Sequence, residues 1–135
     1  MDLRLTTEED YKELSTWWDF WRWNNSKPSL ELLDRLKYGL MVSLDGKNIC
    51  AGFLYFTNAS AFGMLEFIVS SPEIKEKNIR KEAIIFLICS LQEMAKRQGV
   101  KCLFSSLRSE ALKKHYLDCG FVEGSKNTTE MIWKI

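Results

Sequence analysis

The sequence predicts a single α/β (α+β) domain over residues 1–135, with a sheet of six to seven strands flanked by about four helices. Three observations predict it. At 135 residues and 46% apolar composition, the chain can bury one sizeable core and is too short for two ordinary domains. Apolar patterns of period 2 and period 3.6 follow one another in the order β, α, α, β, β, β, α, β, α, β. Capping and turn residues fall at the joints.

Leu3 to Leu5 forms the first short strand. Thr6 or Thr7, followed by Glu8, Glu9 and Asp10, opens a helix with acids in its first turn, running from about Glu8 to Trp23. Asn24, Asn25, Ser26, Lys27 and Pro28 break it, and Ser29 caps a second short helix through Leu36 that Gly39 closes. Leu40 to Leu44 alternates apolar and polar residues, Asp45-Gly46 makes a hairpin turn, and Ile49 to Thr57 returns. Met64 to Ser70 is a further strand, whose alternation sets Met64, Glu66 and Ile68 on one face and Leu65, Phe67 and Val69 on the other. From Arg80 to Gln98, Ile84, Leu87, Ile88, Leu91, Met94 and Ala95 form a helical stripe, stopped by Gly99. Val100 to Ser106 reads as a strand, Phe121 to Gly124 as the penultimate one, and Thr128 to Ile135 as the last.

A net charge of +1 with 27% charged residues offers no basic face for duplex DNA, so a nucleic-acid partner is unsupported. No signal sequence or 18-residue apolar run occurs, since Asp2, Arg4 and the acids that follow interrupt the start; a soluble, unexported protein without a membrane partner is expected. Cys50, Cys89, Cys102 and Cys119 lie far apart in periodic segments beside a single histidine, which predicts buried reduced thiols and no metal site.

Between Ser109 and Phe121 the chain reads SEALKKHYLDCGF. Ser109 is a suitable N-cap, Glu110 suits the positive helix end, and Gly120 can take the left-handed conformation that ends the helix. With Ala111, Tyr116, Gly120 and Phe121 in place, this string resembles the last helix of the GNAT superfamily of acyl-CoA N-acyltransferases. The element order agrees over nearly the whole chain. The resemblance implies a mixed, mostly antiparallel central sheet and acetyl-CoA as co-substrate, with Tyr116 protonating the departing coenzyme A thiolate. It implies further that Ile68, Val69 and Ser70 pair with the pantetheine arm through backbone groups. The pyrophosphate would then lie at the next helix N-terminus, over Lys75, Lys77, Asn78, Ile79, Arg80 and Lys81, with Ser109 also on the cofactor side. Asn78 and Arg80 stand where the family places glycines, which predicts a reshaped loop with cationic side chains replacing amide contacts.

Acetyl transfer to an amine also needs a base, because a protonated amine of pKa about 10.4 yields its nucleophilic form at pH 7.5 only at a cost of roughly 4 kcal/mol. Glu66, mid-strand among apolar neighbours, is the candidate, since burial raises a carboxyl pKa toward a useful value. The Trp-rich run from Thr16 to Trp23 cannot turn all its rings to one core. Tyr11, Leu14, Trp18 and Trp21 make the core stripe, leaving Trp17, Phe20 or Trp23 elsewhere. In GNAT proteins this helix and its loop wall the acceptor pocket, so Trp17, Trp21 and Trp23 are candidate acceptor-binding residues; the alternatives are a hydrophobic seam or a homodimer surface. A non-catalytic protein gripping a host target through this helix is the second functional reading. Ala51-Gly52-Phe53-Leu54-Tyr55 and Glu66 to Pro72 further resemble small GNAT-like proteins of tailed bacteriophages, which implies action in a bacterial cytoplasm.

Overall fold

The computed structural model describes residues 1–23 and 26–135, so the predicted break at Asn24 and Asn25 lies outside the described residues. Five strands form one sheet in the order β1 (Asp2–Leu5), β2 (Gly39–Leu44), β3 (Lys47–Phe56), β4 (Phe62–Ser70) and β5 (Cys102–Phe104). The first three pairings are antiparallel and the last, β4 with β5, is parallel. Three α-helices accompany it, α1 (Tyr11–Phe20), α2 (Lys77–Arg97) and α3 (Glu110–Asp118). No described helix is long and apolar enough to cross a membrane.

The alternation of β2 and β3 builds two cores. Leu40, Val42, Cys50 and Leu54 face α2 and meet Ala83, Leu87, Ile88 and Leu91. On the opposite face Met41, Ala51 and Phe53 meet Leu14, Trp17 and Trp18 of α1. The Asp45-Gly46 turn carries φ of 51° and 78°, the paired left-handed geometry that matches hairpin twist. At the N-terminus, Arg4 grips both carboxylate oxygens of Asp10 at 2.8 Å, while Thr7 N donates to the same carboxylate at 2.8 Å. Asp10 is thereby held below its usual carboxylate range, chiefly by the Arg4 hydrogen bond.

Several expectations are corrected. The first helix begins with a 3-10 turn at Glu8–Asp10, and α1 ends at Phe20 rather than Trp23. Ser29 does cap a turn, since Leu32 N donates to its hydroxyl at 3.1 Å, but no second α-helix follows. Asp34, Arg35 and Leu36 instead take φ of 47°, 54° and 64°, three successive left-handed residues. Such a turn costs roughly 1–2 kcal/mol per residue, and tertiary bonds hold it: Thr6 Oγ1 donates to Leu36 O at 2.7 Å and Tyr55 Oη to Leu32 O at 2.5 Å, with Leu33 and Leu36 buried. The two closing strands do not form, so the sheet has five strands and not six or seven. Strand-forming side chains need a ladder partner, and Val122, Met131, Ile132, Trp133 and Ile135 find no covering face.

Gly39 shows how tightly β2 is seated. A Cβ there would stand 2.4 Å from both the Phe53 ring and Thr6 Oγ1. Gly39→Ala should therefore cost about 1–3 kcal/mol through overpacking, read as a lower urea midpoint at unchanged slope.

Candidate active site

Strand β4 carries the feature that shapes the site. Ala51 pairs with Val69 but Phe53 pairs with Glu66, so two residues of β4, Phe67 and Ile68, oppose Gly52 alone. Phe67 absorbs the extra residue at φ 61°. The predicted alternation therefore fails at Ile68, which joins Leu65 on the α2 face, while Phe67 and Val69 share the α1 face. Pairing of β4 with β5 stops at Met64 and Phe104. Beyond it the two chains are joined by side chains. Ser105 Oγ donates to Leu65 O at 2.6 Å, and Ser106 N donates to Glu66 Oε1 at 2.8 Å.

Tyr116 enters this junction from α3. Ser109 caps that helix by accepting from Leu112 N at 3.1 Å, and Gly120 ends it at φ 92°, which places Tyr116 on the buried face against Phe121, ring centroids 4.7 Å apart. The Ser109 hydroxyl is thus committed to its own helix. Tyr116 Oη lies 2.8 Å from Ser105 Oγ. Leu65 O can only accept, so the serine hydrogen goes there and Tyr116 donates to Ser105. Burial pushes the Tyr116 phenol well above its ordinary 10, with the Ser105 hydrogen bond opposing and Glu66 adding to the rise. A lowered phenol pKa, useful for full proton transfer to a thiolate, is not what this environment produces.

Glu66 is half-buried, and desolvation raises its carboxyl to about 7, against the Ser106 amide bond that lowers it; Glu130 adds a smaller rise. Tyr55 is pushed up to about 12, mainly by burial, then by the charges of Glu66 and Asp34. Beside Glu66, Phe67 meets Trp23 at a tilt and Tyr55 edge-on, at centroid distances of 6.2 and 6.3 Å. Of the proposed acceptor residues, Trp23 is therefore next to the site. Trp17 is not: it is 4% exposed in the α1 core. Trp21 leaves the core stripe, being 42% exposed at the end of α1, and its indole N–H donates to Ser70 O at 2.8 Å. With Trp17 and Trp18 buried, Phe20 at the end of α1 and Trp21 just after it are the exposed aromatics of this segment.

Helix α2 begins at Lys77, three residues earlier than its apolar stripe predicts. Asn78 and Arg80 are ordinary right-handed helical residues, so the reshaped loop expected where they replace glycines is the first turn of a helix. Glu76 gives the helix no side-chain cap, and Arg80 N is the first amide bonded, to Glu76 O at 3.1 Å. The leading amides of Lys77, Asn78 and Ile79 have no acceptor among the described residues, and no acid occupies the first turn. Arg80 turns its guanidinium back to Ile74 O at 3.0 Å, while Lys75, Lys77 and Lys81 are exposed. This is a helix end whose dipole and open donors favour an anion.

Between that helix end and Tyr116 runs the free edge of β4. Ser71 N bonds Ile49 O at 2.7 Å, so by ladder alternation Val69 faces β3 while Ile68 and Ser70 aim their backbone groups at the open edge. The side chains of Ile68 and Val69 are buried, leaving backbone as their available chemistry. Sequence reasoning missed Ser105, Ser106, Tyr55 and the Phe67 bulge. Two serines after a short apolar run were a visible signal for the first pair, but nothing local marks a phenylalanine for positive φ. The thiol expectation also changes, since Cys89 and Cys102 are exposed and only Cys50 is fully buried.

The architecture is a GNAT-like fold. No protein-family model matches the chain, and no curated protein matches it in sequence. Solved structures do. N-acetylglutamate synthase from Neisseria gonorrhoeae, complexed with coenzyme A and N-acetyl-glutamate, superposes at TM-score 0.72 and 15% identity; 95% of this chain covers 30% of that one. A Mycobacterium tuberculosis protein complexed with coenzyme A gives 0.71 at 18% identity, over 95% of this chain and 76% of its own. An aminoglycoside N-acetyltransferase complexed with coenzyme A gives 0.66 at 16% identity, over 98% and 100%. At these identities the likeness establishes the fold.

The Glu66 environment has a thermodynamic signature. Its folded pKa, about 7, lies above the ordinary 4.5, so between these values the native state holds a proton the unfolded state has lost. Stability should fall as pH rises from about 4.5 to about 7, and Glu66→Gln should remove that part of the decline in urea denaturation at pH 5 and pH 8.

Proposed function

We propose that this chain is an acetyl-CoA-dependent N-acyltransferase acting by direct attack of an amine, in the bacterial cytoplasm that its sequence resemblance implies. The carrying observation is the convergence of Glu66 and Tyr116 where β4 and β5 part, with the open β4 edge leading from them to the uncapped α2 terminus. The residues present fit the co-substrate. Backbone groups of Ile68 and Ser70 would hold the pantetheine arm, and the amides of Lys77, Asn78 and Ile79, with Lys75, Lys77 and Lys81 nearby, would hold the pyrophosphate. Acetyl-CoA supplies an activated thioester carbonyl there. Coenzyme A in the neighbouring structures supports this assignment.

Glu66 takes the amine proton. From an ammonium of pKa about 10.4 to a carboxyl of about 7 the transfer is uphill by roughly 5 kcal/mol, against roughly 8 kcal/mol for a carboxyl at 4.5. Burial thus recovers about 3 kcal/mol of the barrier. Tyr116 remains protonated at neutral pH and offers its hydrogen to the departing thiolate. In doing so it gives up its bond to Ser105, whose own hydrogen can swing from Leu65 O to the phenol oxygen. Burial is the main cause of the high Tyr116 pKa, but once Glu66 is neutralised by the amine proton its smaller addition to that rise is gone, so the acid strengthens somewhat as the thiolate leaves. Trp23, Phe67 and Tyr55 form the wall on which the acceptor rests.

Two measurements check this reading. Acetyl-CoA at about a hundredfold over its dissociation constant should add about 2.7 kcal/mol to stability, visible as a rise in Tm; no shift at millimolar acetyl-CoA would remove the co-substrate. With an amine acceptor found by panel screening, the rate should climb with pH through about 7. Glu66→Gln should abolish that limb and lower kcat by about 10²-fold, and Tyr116→Phe should lower kcat similarly with the limb retained.

A further inference from the structure

Outside the acyl-transfer site, the molecule holds one pair of reactive side chains that the mechanism does not use. Cys89 lies on α2 and Cys119 follows the last residue of α3, thirty residues away in sequence, and their sulfurs stand 3.3 Å apart. The contact is set by backbone as well as by rotamer. Gln92, one turn along α2 from Cys89, donates through Nε2 to Cys119 O at 3.0 Å, and Cys119 Sγ also approaches Ile85 O at 3.8 Å. Three α2 residues on adjoining turns thus hold the end of α3. Cys89 is exposed, so small oxidants reach it, whereas Cys119 is half-buried beneath it.

We propose that Cys89 and Cys119 form a reversible oxidation site, closing to a disulfide that fastens α2 to α3. A disulfide needs sulfurs about 2.05 Å apart, so the pair must approach by roughly 1.3 Å, a side-chain adjustment. The oxidant class is a low-molecular-weight disulfide. Cys89 thiolate attacks one of its sulfurs, the small S–S bond breaks, and the first small thiolate leaves. Cys119, once deprotonated, attacks the Cys89 sulfur of the mixed disulfide and expels the second small thiolate. The two protons lost by the protein thiols end on the two departing thiolates. Two protein sulfurs are oxidised and one small disulfide is reduced. Burial and the neighbouring Cys89 together push the Cys119 thiol up to about 12, which makes exposed Cys89 the attacking sulfur and Cys119 the resolving one.

The ring so closed runs from residue 89 to 119 and contains β5, Ser105, Ser106 and Tyr116. Oxidation would therefore tie down the whole α3 side of the junction with β4. Cys50 is buried without a sulfur neighbour, and Cys102 is exposed on β5 with none among the described residues, so this pairing is selective.

The test needs no acyl acceptor. Incubating the protein with glutathione disulfide should give an intact mass lower by two hydrogens, a tryptic peptide joining Cys89 to Cys119, and a Tm higher by roughly 5 °C or more. All three should reverse with reductant and vanish in Cys89→Ser, while Cys102→Ser behaves as the parent. A glutathione adduct that persists on Cys89, or cross-linking through Cys102 between two chains with Cys119 still open to alkylation, would overturn the proposal.

Discussion

Phe67 holds a left-handed backbone conformation in the middle of a strand, at a cost on the order of 1–2 kcal/mol that a phenylalanine does nothing to lessen. What holds it there is the sheet on either side: Val69 and Ser70 are in register with Ala51 and Cys50, Glu66 and Leu65 with Phe53 and Leu54, and one residue must be accommodated between. The ring itself lies between Trp23 and Tyr55. Of the candidate site residues, Glu66, Ile68 and Ser70 sit within a few residues of that extra one. The bulge moves Ile68 to the α2 face and lies three residues past Met64, the last residue of β4 that pairs with β5.

Three elements then use the gap. Strand β5 contributes Ser105 and Ser106 immediately after its last paired residue, so its short length is what frees them to bond β4 by side chain and by amide. Helix α3 brings Tyr116 to Ser105. Helix α2 is pressed onto the sheet so closely that a Cβ at Gly52 would come within 3.0 Å of Leu91, and its start carries no side-chain cap. Tyr116, Glu66 and a helix end that favours an anion are thus supplied by separate segments of the chain.

How much of this the sequence discloses depends on whether the determinant is local. Ser109, Glu110 and Gly120 bound α3 as their types require, and Asp45-Gly46 bounds the hairpin, because caps and turns are decided by neighbouring residues. Glu66 and Tyr116 were legible as candidates, one through a carboxylate in an apolar run, the other through its place in a recognisable string, and the structure sets both against Ser105 and Ser106. The bulge was not, since its cause is the register of β4 against β3. The left-handed turn at Asp34–Leu36 was hidden for the same reason, as bonds from Thr6 and Tyr55 override a plausible helix. The aromatic helix was misread by one turn: Trp17 instead of Trp21 faces the core, because α1 stops at Phe20. The family comparison misled at Asn78 and Arg80, where an earlier helix start removes the need for glycine.

Trp21 closes over the open edge of β4 by giving its indole hydrogen to Ser70 O. A ligand that takes this carbonyl must first displace the indole, so binding at that point is an exchange. One protein hydrogen bond of ordinary worth, about 1 kcal/mol, is traded for another, with a partly exposed ring released to solvent. The carbonyl therefore contributes register more than affinity. Any ligand that takes this carbonyl would draw its affinity from elsewhere, and the Trp21 bond sets the match its own hydrogen bond must meet.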